Sequence, residues 1–164
     1  MGIEIERKYL IELPDTAYLA NIEGARVLSI VQTYLAERDG AERRVRSVTE
    51  RGGTKYVYTE KMPLGKISRV ENEREISRDE YCMLLTEAVS RLTKTRYAVP
   101  FCGHVIEVDV YPDDIGGDVL RGCAVLEVEL ADEEEKFSLP PYITVIRELC
   151  GEREYSNKSL AKPI

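Results

Sequence analysis

Charged side chains of one sign recur at every second position in several short segments. Glu4 and Glu6 stand two residues apart, as do Arg44 and Arg46. Alternate residues of a β-strand point to the same side of a sheet, so each pair would place two like charges on one face. Clustered carboxylates favour a hard divalent cation, and clustered arginines and lysines favour a phosphate-rich anion. The spacing therefore predicts a site for a ligand that brings both, a metal-bound polyphosphate.

The same parity assigns nine carboxylates and seven cations to one face. For any single strand, the simpler interpretation is the solvated face of an ordinary sheet. Acids and bases segregate by strand, however, and like charges directly opposite each other on neighbouring strands destabilise a sheet. Together the strands favour an ionic face that is turned inward around a ligand. The carboxylates are Glu4, Glu6, Glu71, Glu73, Glu75, Glu107, Asp109, Glu127 and Glu129, and the cations are Lys8, Arg44, Arg46, Lys61, Arg69, Lys94 and Arg96.

Most of the chain has the period-two pattern of β-strands. A helix is predicted over 77–91, where Ser77 and Glu80 form a capping box, and a shorter helix is predicted to start near 14–16 and to carry Leu19 and Ile22. The connections are too short for repeated βαβ crossovers, so we expect one antiparallel α+β domain over 1–164. Eight strands favour closure into an antiparallel β-barrel, a tunnel with a charged lumen and with helices packed outside. The predicted strands are 3–13, 28–38, 43–49, 54–62, 67–76, 94–101, 103–111 and 124–131, and the tail 140–164 is ambiguous.

Composition excludes several classes of protein. The chain has 164 residues, is 43% hydrophobic and carries a net charge of −7, which favours a globular domain over a general binder of nucleic acid. No apolar run approaches the ~20 residues of a membrane span, and the acidic N-terminus argues against a secretory signal. A cytoplasmic protein with free, buried thiols is expected, because no Cys-x-x-Cys spacing occurs. The cysteines are Cys82, Cys102, Cys123 and Cys150.

Motifs in a fixed order strengthen this interpretation. The N-terminal Glu4-Ile5-Glu6-Arg7-Lys8 resembles the ExExK signature of the CYTH superfamily, the triphosphate tunnel metalloenzymes. Further segments resemble the family's successive strands and its C-terminal Y-x-N…S-L-A segment, so the resemblance covers residues 4–161. These segments are Gln32-Thr33-Tyr34-Leu35, Arg44-Val45-Arg46, Thr59-Glu60-Lys61, 69–76, Lys94-Thr95-Arg96-Tyr97, Glu107-Val108-Asp109, 126–130, Tyr155-Ser156-Asn157 and Ser159-Leu160-Ala161.

The resemblance implies a closed eight-stranded tunnel that binds a linear triphosphate end-on with Mg²⁺ or Mn²⁺. It implies phosphate contacts from Lys8, Arg44, Arg46, Lys61, Arg69, Lys94 and Arg96. It also implies metal ligands among Glu4, Glu6, Asp109, Glu127 and Glu129. The residues expected to carry catalysis are Glu4, Glu6, Lys8, Lys94 and Glu129.

The resemblance favours metal-dependent hydrolysis, with inorganic tripolyphosphate as the expected substrate. Hydrolysis of nucleoside or thiamine triphosphate and class IV adenylyl cyclisation of ATP are alternatives on the same scaffold. A non-catalytic polyphosphate-binding protein is a third, although it would not need the carboxylates. The single histidine, His104, has the parity of the apolar face, so it is not expected to be catalytic. The sequence leaves dimerisation open.

Overall fold

The computed structural model describes residues 2–65 and 67–164. Three short α-helices are present, α1 (Thr16–Ala20), α2 (Arg78–Leu84) and α3 (Asn157–Leu160). Short 3₁₀ turns cover Leu85–Glu87, Gly117–Val119 and Arg153–Tyr155. The strands are β1 (Gly2–Glu12), β2 (Arg26–Leu35), β3 (Glu42–Glu50), β4 (Gly53–Pro63), β5 (Ser68–Ile76), β6 (Ala88–Phe101), β7 (His104–Val110), β8 (Cys123–Glu129), β9 (Val145–Glu148) and β10 (Lys162–Pro163).

The first eight strands close into an antiparallel barrel. Their order around the barrel is β1-β5-β4-β3-β2-β6-β7-β8, and β8 pairs again with β1. Glu6 lies opposite Glu129 where β8 meets β1, and Arg96 lies opposite Asp109 where β6 meets β7. Closure leaves no free edge among these eight strands. The predicted α+β barrel is confirmed.

Helices cover parts of the outer surface of the barrel. Beyond the N-cap residue Ser77, α2 places Tyr81 and Leu84 against the buried side chains of Val45 and Ile76. Leu19 of α1 is likewise buried, in a separate apolar cluster built on β1, β6, β7 and β8. The strands therefore bury apolar residues on their outward side, as the parity predicts.

The helix predicted over 77–91 is shorter in the structure. Ser77 accepts a hydrogen bond from the Glu80 backbone N–H at 3.1 Å, so the predicted N-cap is confirmed. The helix ends at Leu84, however, and residues 88–91 form the start of β6, six residues before the predicted strand. They pair with β2, where Arg91 lies opposite Thr33. These inter-strand hydrogen bonds help to close the barrel and outweigh the local helical pattern.

The C-terminal segment lies across one end of the barrel. β9 pairs with the C-terminal part of β1, and β10 pairs with the beginning of β6. Between them, the chain contributes Leu149, Tyr155 and Leu160 to a buried cluster with apolar residues of the lumen-facing parity. The lumen is thus ionic along most of its length and apolar at this end. The residues of the barrel in this cluster are Leu10, Tyr34, Leu92 and Val125.

The four cysteines are free, as expected, but their predicted burial is wrong. Cys82 lies on exposed α2 and Cys102 at the tip of the β6–β7 hairpin, while Cys123 and Cys150 are half-buried. Cys102 has φ 48° and precedes Gly103, also with positive φ, so the turn geometry holds this side chain outward. Within residues 2–65 and 67–164, no helix has the length and apolar character that crossing a bilayer requires.

Candidate active site

The lumen contains a cavity of about 680 Å³ with a mostly ionic lining. Fourteen of the sixteen charged residues predicted for the inner face line it, and Glu75 and Asp109 do not. Glu75 lies on β5 and is exposed to solvent, whereas Asp109 is fully buried behind the lining. The lining contains nine carboxylates and nine cations. They are Glu4, Glu6, Glu37, Glu42, Glu71, Glu73, Glu107, Glu127 and Glu129, with Lys8, Arg44, Arg46, Lys61, Arg69, Lys94, Arg96, Arg153 and Lys158.

Two cations of β6 share one buried counterion. Lys94 Nζ donates to Asp109 Oδ2 at 2.6 Å, and the Arg96 guanidinium donates to both oxygens of Asp109 at 2.7 and 2.9 Å. Arg96 also donates to Glu107 at 2.8 Å and lies 3.8 Å from Glu127. Lys94 and Asp109 are almost inaccessible to water, so these charges interact in a low dielectric. The two cations are therefore fixed in place before any ligand binds.

Carboxylates crowd the wall formed by β1 and β8. Glu6 lies directly opposite Glu129, and the next pair toward the apolar end is Lys8 and Glu127. Burial, together with the negative charges of Glu127 and Glu4, raises the pKa of Glu6 to about 8. Partial burial and the charge of Glu4 also raise the pKa of Glu129. Because these shifts record unfavourable negative charge, this wall would be stabilised by a cation.

A second group of carboxylates joins β1 to β5. Lys61 Nζ contacts both Glu4 oxygens at 3.0 and 3.1 Å, while Arg69 lies 3.8 Å from Glu4 and 3.9 Å from Glu6. Burial raises the pKa of Glu71, and its hydrogen bonds with neighbouring carboxylates raise it further, to about 9. Burial alone would raise the pKa of Glu4, but the hydrogen bond from Glu71 and the charge of Lys61 lower it to about 2. Crowding of Glu4, Glu71 and Glu73 therefore disfavours a negative charge on Glu71.

The wall formed by β2 and β3 has unused hydrogen-bonding capacity. Gln32 lies opposite Arg46, and Tyr34 lies opposite Arg44. Arg46 pairs with Glu73 at 3.2 Å, whereas Arg44 forms no ion pair with any described residue. The Nε atoms of both arginines and Oε1 of Gln32 are buried without a hydrogen-bond partner in the described structure. Buried donors are rarely left unpaired, so the two arginine Nε–H groups of this wall are suited to bind an anionic ligand.

The sequence prediction omitted several residues of the lining. Gln32 donates to the Tyr34 hydroxyl at 2.6 Å, and both side chains are buried in the lumen. Both residues occupy even positions of β2, and this shared parity could have placed them together on the inner face. The C-terminal segment adds Arg153 and Lys158, and Lys8 donates to the backbone carbonyl of Tyr155 at 2.9 Å. These contacts join residues about 150 positions apart, which a local pattern does not reveal.

The donor atoms of the carboxylate wall suit Mg²⁺ or Mn²⁺. Both cations prefer oxygen ligands, and every acidic side chain on this wall supplies carboxylate oxygens. Among residues 2–65 and 67–164, no three acidic, histidine or cysteine side chains converge as a metal cage. Glu4 instead contacts Lys61. The chemistry therefore fits a divalent cation, although Glu4 is held by a cation of the protein.

Solved structures of NE1496 are similar to this chain over nearly their whole length. The inorganic triphosphatase NE1496 is 29% identical over 98% of this chain and 95% of that chain, with a TM-score of 0.58. A second structure, called the hypothetical protein NE1496, is 30% identical over 96% and 97%, with a TM-score of 0.57. PH1819 from Pyrococcus horikoshii OT3 is 24% identical over 80% of both chains, with a TM-score of 0.59, and shows the fold alone. No protein-family model and no curated protein matches the sequence.

A closed antiparallel barrel with ionic side chains of both signs in its lumen defines a charged-tunnel protein. The similarity to NE1496 extends over the strands that carry the ionic lining, from β1 to the C-terminal segment. The chain belongs to the CYTH superfamily, the triphosphate tunnel metalloenzymes.

Proposed function

We propose that this protein hydrolyses a linear triphosphate, with inorganic tripolyphosphate as its substrate, in a reaction that depends on Mg²⁺ or Mn²⁺. The observation that carries the proposal is the division of one cavity into a carboxylate wall on β1 and β8 and an arginine wall on β2 and β3. The similarity to the inorganic triphosphatase NE1496 supports the choice of substrate.

In this proposal, cations from five strands contact the phosphate oxygens. Arg44 and Arg46 would use the guanidinium hydrogen atoms that are unpaired here, and Lys94 and Arg96 would approach from β6. Charged hydrogen bonds are stronger than neutral ones, and donors fixed in advance need little rearrangement as charge develops on the phosphate. The phosphate-binding set is Lys8, Arg44, Arg46, Lys61, Arg69, Lys94 and Arg96.

The carboxylate wall would hold the divalent cation. Glu4, Glu6, Glu127 and Glu129 are the proposed ligands, because they line the cavity and supply oxygen donors. When bound, such a cation would neutralise phosphate oxygens and lower the pKa of attacking water. Glu6 and Glu129 would lose the repulsion that raises their pKa values, so cation binding and deprotonation are favourable together.

Phosphate release tests this function directly. Tripolyphosphate, ATP and thiamine triphosphate are each incubated with Mg²⁺, Mn²⁺ or a chelator, and both phosphate and cyclic AMP are measured. We expect release from tripolyphosphate to exceed release from the other two at least ten-fold and to stop with the chelator. Cyclic AMP from ATP would identify a cyclase instead, and tight binding without release would identify a polyphosphate-binding protein.

Gln32 provides a test that separates ligand binding from folding. Its Oε1 is buried without a partner, so methionine at this position removes an unpaired acceptor as well as the hydrogen bond to Tyr34. We expect Gln32→Met to change the free energy of unfolding by no more than about 1 kcal/mol, because the two effects oppose each other. Gln32 Nε2 has a second N–H that can donate to a phosphate oxygen, and methionine has no donor, so the increase in Tm with tripolyphosphate should be smaller than in the unmodified protein. An unchanged increase would show that Gln32 does not contact the ligand.

A further inference from the structure

We infer that Asp109 is a positioning residue, which fixes Lys94 and Arg96 for phosphate binding and does not ligate the metal. The inference rests on the proposed function, within which it assigns a different role from the one that the family resemblance implies for this carboxylate.

Both oxygens of Asp109 are already occupied by protein cations. Oδ2 accepts from Lys94 Nζ at 2.6 Å and from Arg96 Nη2 at 2.9 Å, and Oδ1 accepts from Arg96 Nε at 2.7 Å. The Asp109 side chain has no accessible surface and does not line the cavity. A metal ion at Asp109 would have to displace both cations and enter a closed part of the barrel. This carboxylate is therefore shielded from the lumen by the groups that it holds.

Asp109 offsets the repulsion between two neighbouring cations of β6. Lys94 and Arg96 stand two residues apart, so they face the lumen side by side and repel each other. Asp109 lies directly opposite Arg96 on β7, close enough to contact both cations. One buried negative charge thus keeps two positive charges adjacent and fixed. Such preorganised donors are worth most where the ligand carries several charged oxygens.

Glu127 on the adjacent strand β8 is a suitable residue for comparison with Asp109. It lies opposite Lys8 on β1 and opposite Glu107 on β7, and it lines the cavity. Its carboxylate is 3.8 Å from Arg96, beyond hydrogen-bond distance, so its oxygens are not saturated by that cation. Both acids are buried beside Arg96, but only Glu127 faces the lumen. A positioning role and a ligand role should therefore separate between these two residues.

The experiment compares Asp109→Asn with Glu127→Gln in tripolyphosphate hydrolysis. For Asp109→Asn we expect KM to rise at least about ten-fold, while the Mg²⁺ concentration for half-maximal rate stays within about two-fold. For Glu127→Gln we expect the half-maximal Mg²⁺ concentration to rise about ten-fold or more. The inference is overturned if Asp109→Asn raises the Mg²⁺ requirement as Glu127→Gln does, or if it leaves KM unchanged.

A double variant guards against misfolding, because Asp109→Asn leaves two buried cations with too little negative charge. Lys94→Met combined with Asp109→Asn removes one charge of each sign, a replacement that buried ion pairs often tolerate. We expect this variant to keep the circular dichroism spectrum of the unmodified protein, a high KM and an unchanged Mg²⁺ requirement. A raised Mg²⁺ requirement in the double variant would contradict the positioning role.

Calorimetry with tripolyphosphate in the presence of EDTA separates this inference from the proposed function. If the unmodified protein releases no phosphate, the proposed function fails, but metal-free binding still tests Asp109. We expect Asp109→Asn to weaken that binding at least about ten-fold, because the two fixed cations contact phosphate without a metal. Equal metal-free affinity in the two proteins would overturn the inference whatever the hydrolysis assay shows.

Discussion

Replacing Glu129 by glutamine is expected to lower kcat for tripolyphosphate hydrolysis about 100-fold while the protein remains as stable as before. The loss corresponds to about 3 kcal/mol of transition-state stabilisation, the scale on which a catalytic metal site acts. Stability should not fall, because Glu129 forms no ion pair with any described residue, and its charge is opposed by Glu4 and Glu127. Steady-state kinetics at saturating Mg²⁺ and thermal unfolding measure the two effects.

Glu75→Gln is the matched control for this substitution. Glu75 has the same strand parity as the ionic lining and is exposed, as Glu129 is, but it lies outside the cavity. The same loss of one negative charge at this position should leave kcat within about two-fold, since surface substitutions have small effects. Equal losses in the two variants would indicate a general effect of net charge and would remove Glu129 from the proposed metal site.

The common face of the ionic residues could be predicted because strand parity is a local property, and its inward direction because acids and bases segregate by strand. Once Glu4 and Glu6 are placed on one side of β1, the pleat fixes Ile5 on the other side. The structure confirms this separation, with Glu4 and Glu6 in the cavity lining and Ile5 packed on the outer apolar cluster. The order of motifs then identifies which strands take part. Fourteen of the sixteen charged side chains reach the cavity for this reason.

Residues that depend on the stagger between strands could not be predicted in this way. Glu75 has the correct parity but lies beyond the end of the cavity, because position along the barrel axis depends on the register of every strand pair. Asp109 also has the correct parity, yet it lies behind the two cations of β6. Strand parity identifies the residues that share one face of the sheet. It does not show which of their charges contact one another. Those contacts decide which carboxylates remain available to a ligand.

The C-terminal segment was ambiguous in sequence because its contacts are non-local and its strands are short. β9 has four residues and β10 has two, too few for a periodic pattern to show. The segment is held by contacts with distant parts of the chain, such as the hydrogen bonds of Lys8 to Tyr155 and of Tyr111 to Asn157. The family resemblance indicated that residues 155–161 matter, whereas only the fold shows that they cover one end of the lumen.

Arg44→Met should raise KM for tripolyphosphate about 100-fold without lowering stability. Arg44 is buried, has no ion-pair partner among the described residues, and leaves its Nε unpaired. A guanidinium that binds phosphate through two charged hydrogen bonds contributes about 3 kcal/mol, which corresponds to roughly that change in affinity. In the absence of ligand, burial disfavours the Arg44 charge while Tyr34, Glu4 and Glu42 favour it, which keeps its pKa above the usual value. Because these effects offset each other, methionine should leave the Tm nearly unchanged.

Arg43→Met is the matched control, because this substitution should lower stability and leave KM unchanged. Arg43 is as deeply buried on the same strand, but it points outward, where it pairs with Glu87 at 3.0 Å and donates to the Tyr58 hydroxyl at 3.0 Å. Its loss should lower the free energy of unfolding by about 1–3 kcal/mol and leave KM unchanged. If binding depended only on the overall stability of the barrel, KM would follow Tm in both variants. We expect KM and Tm to change independently, since Arg44 lines the cavity and Arg43 contacts Glu87 and Tyr58 on the outside of the barrel.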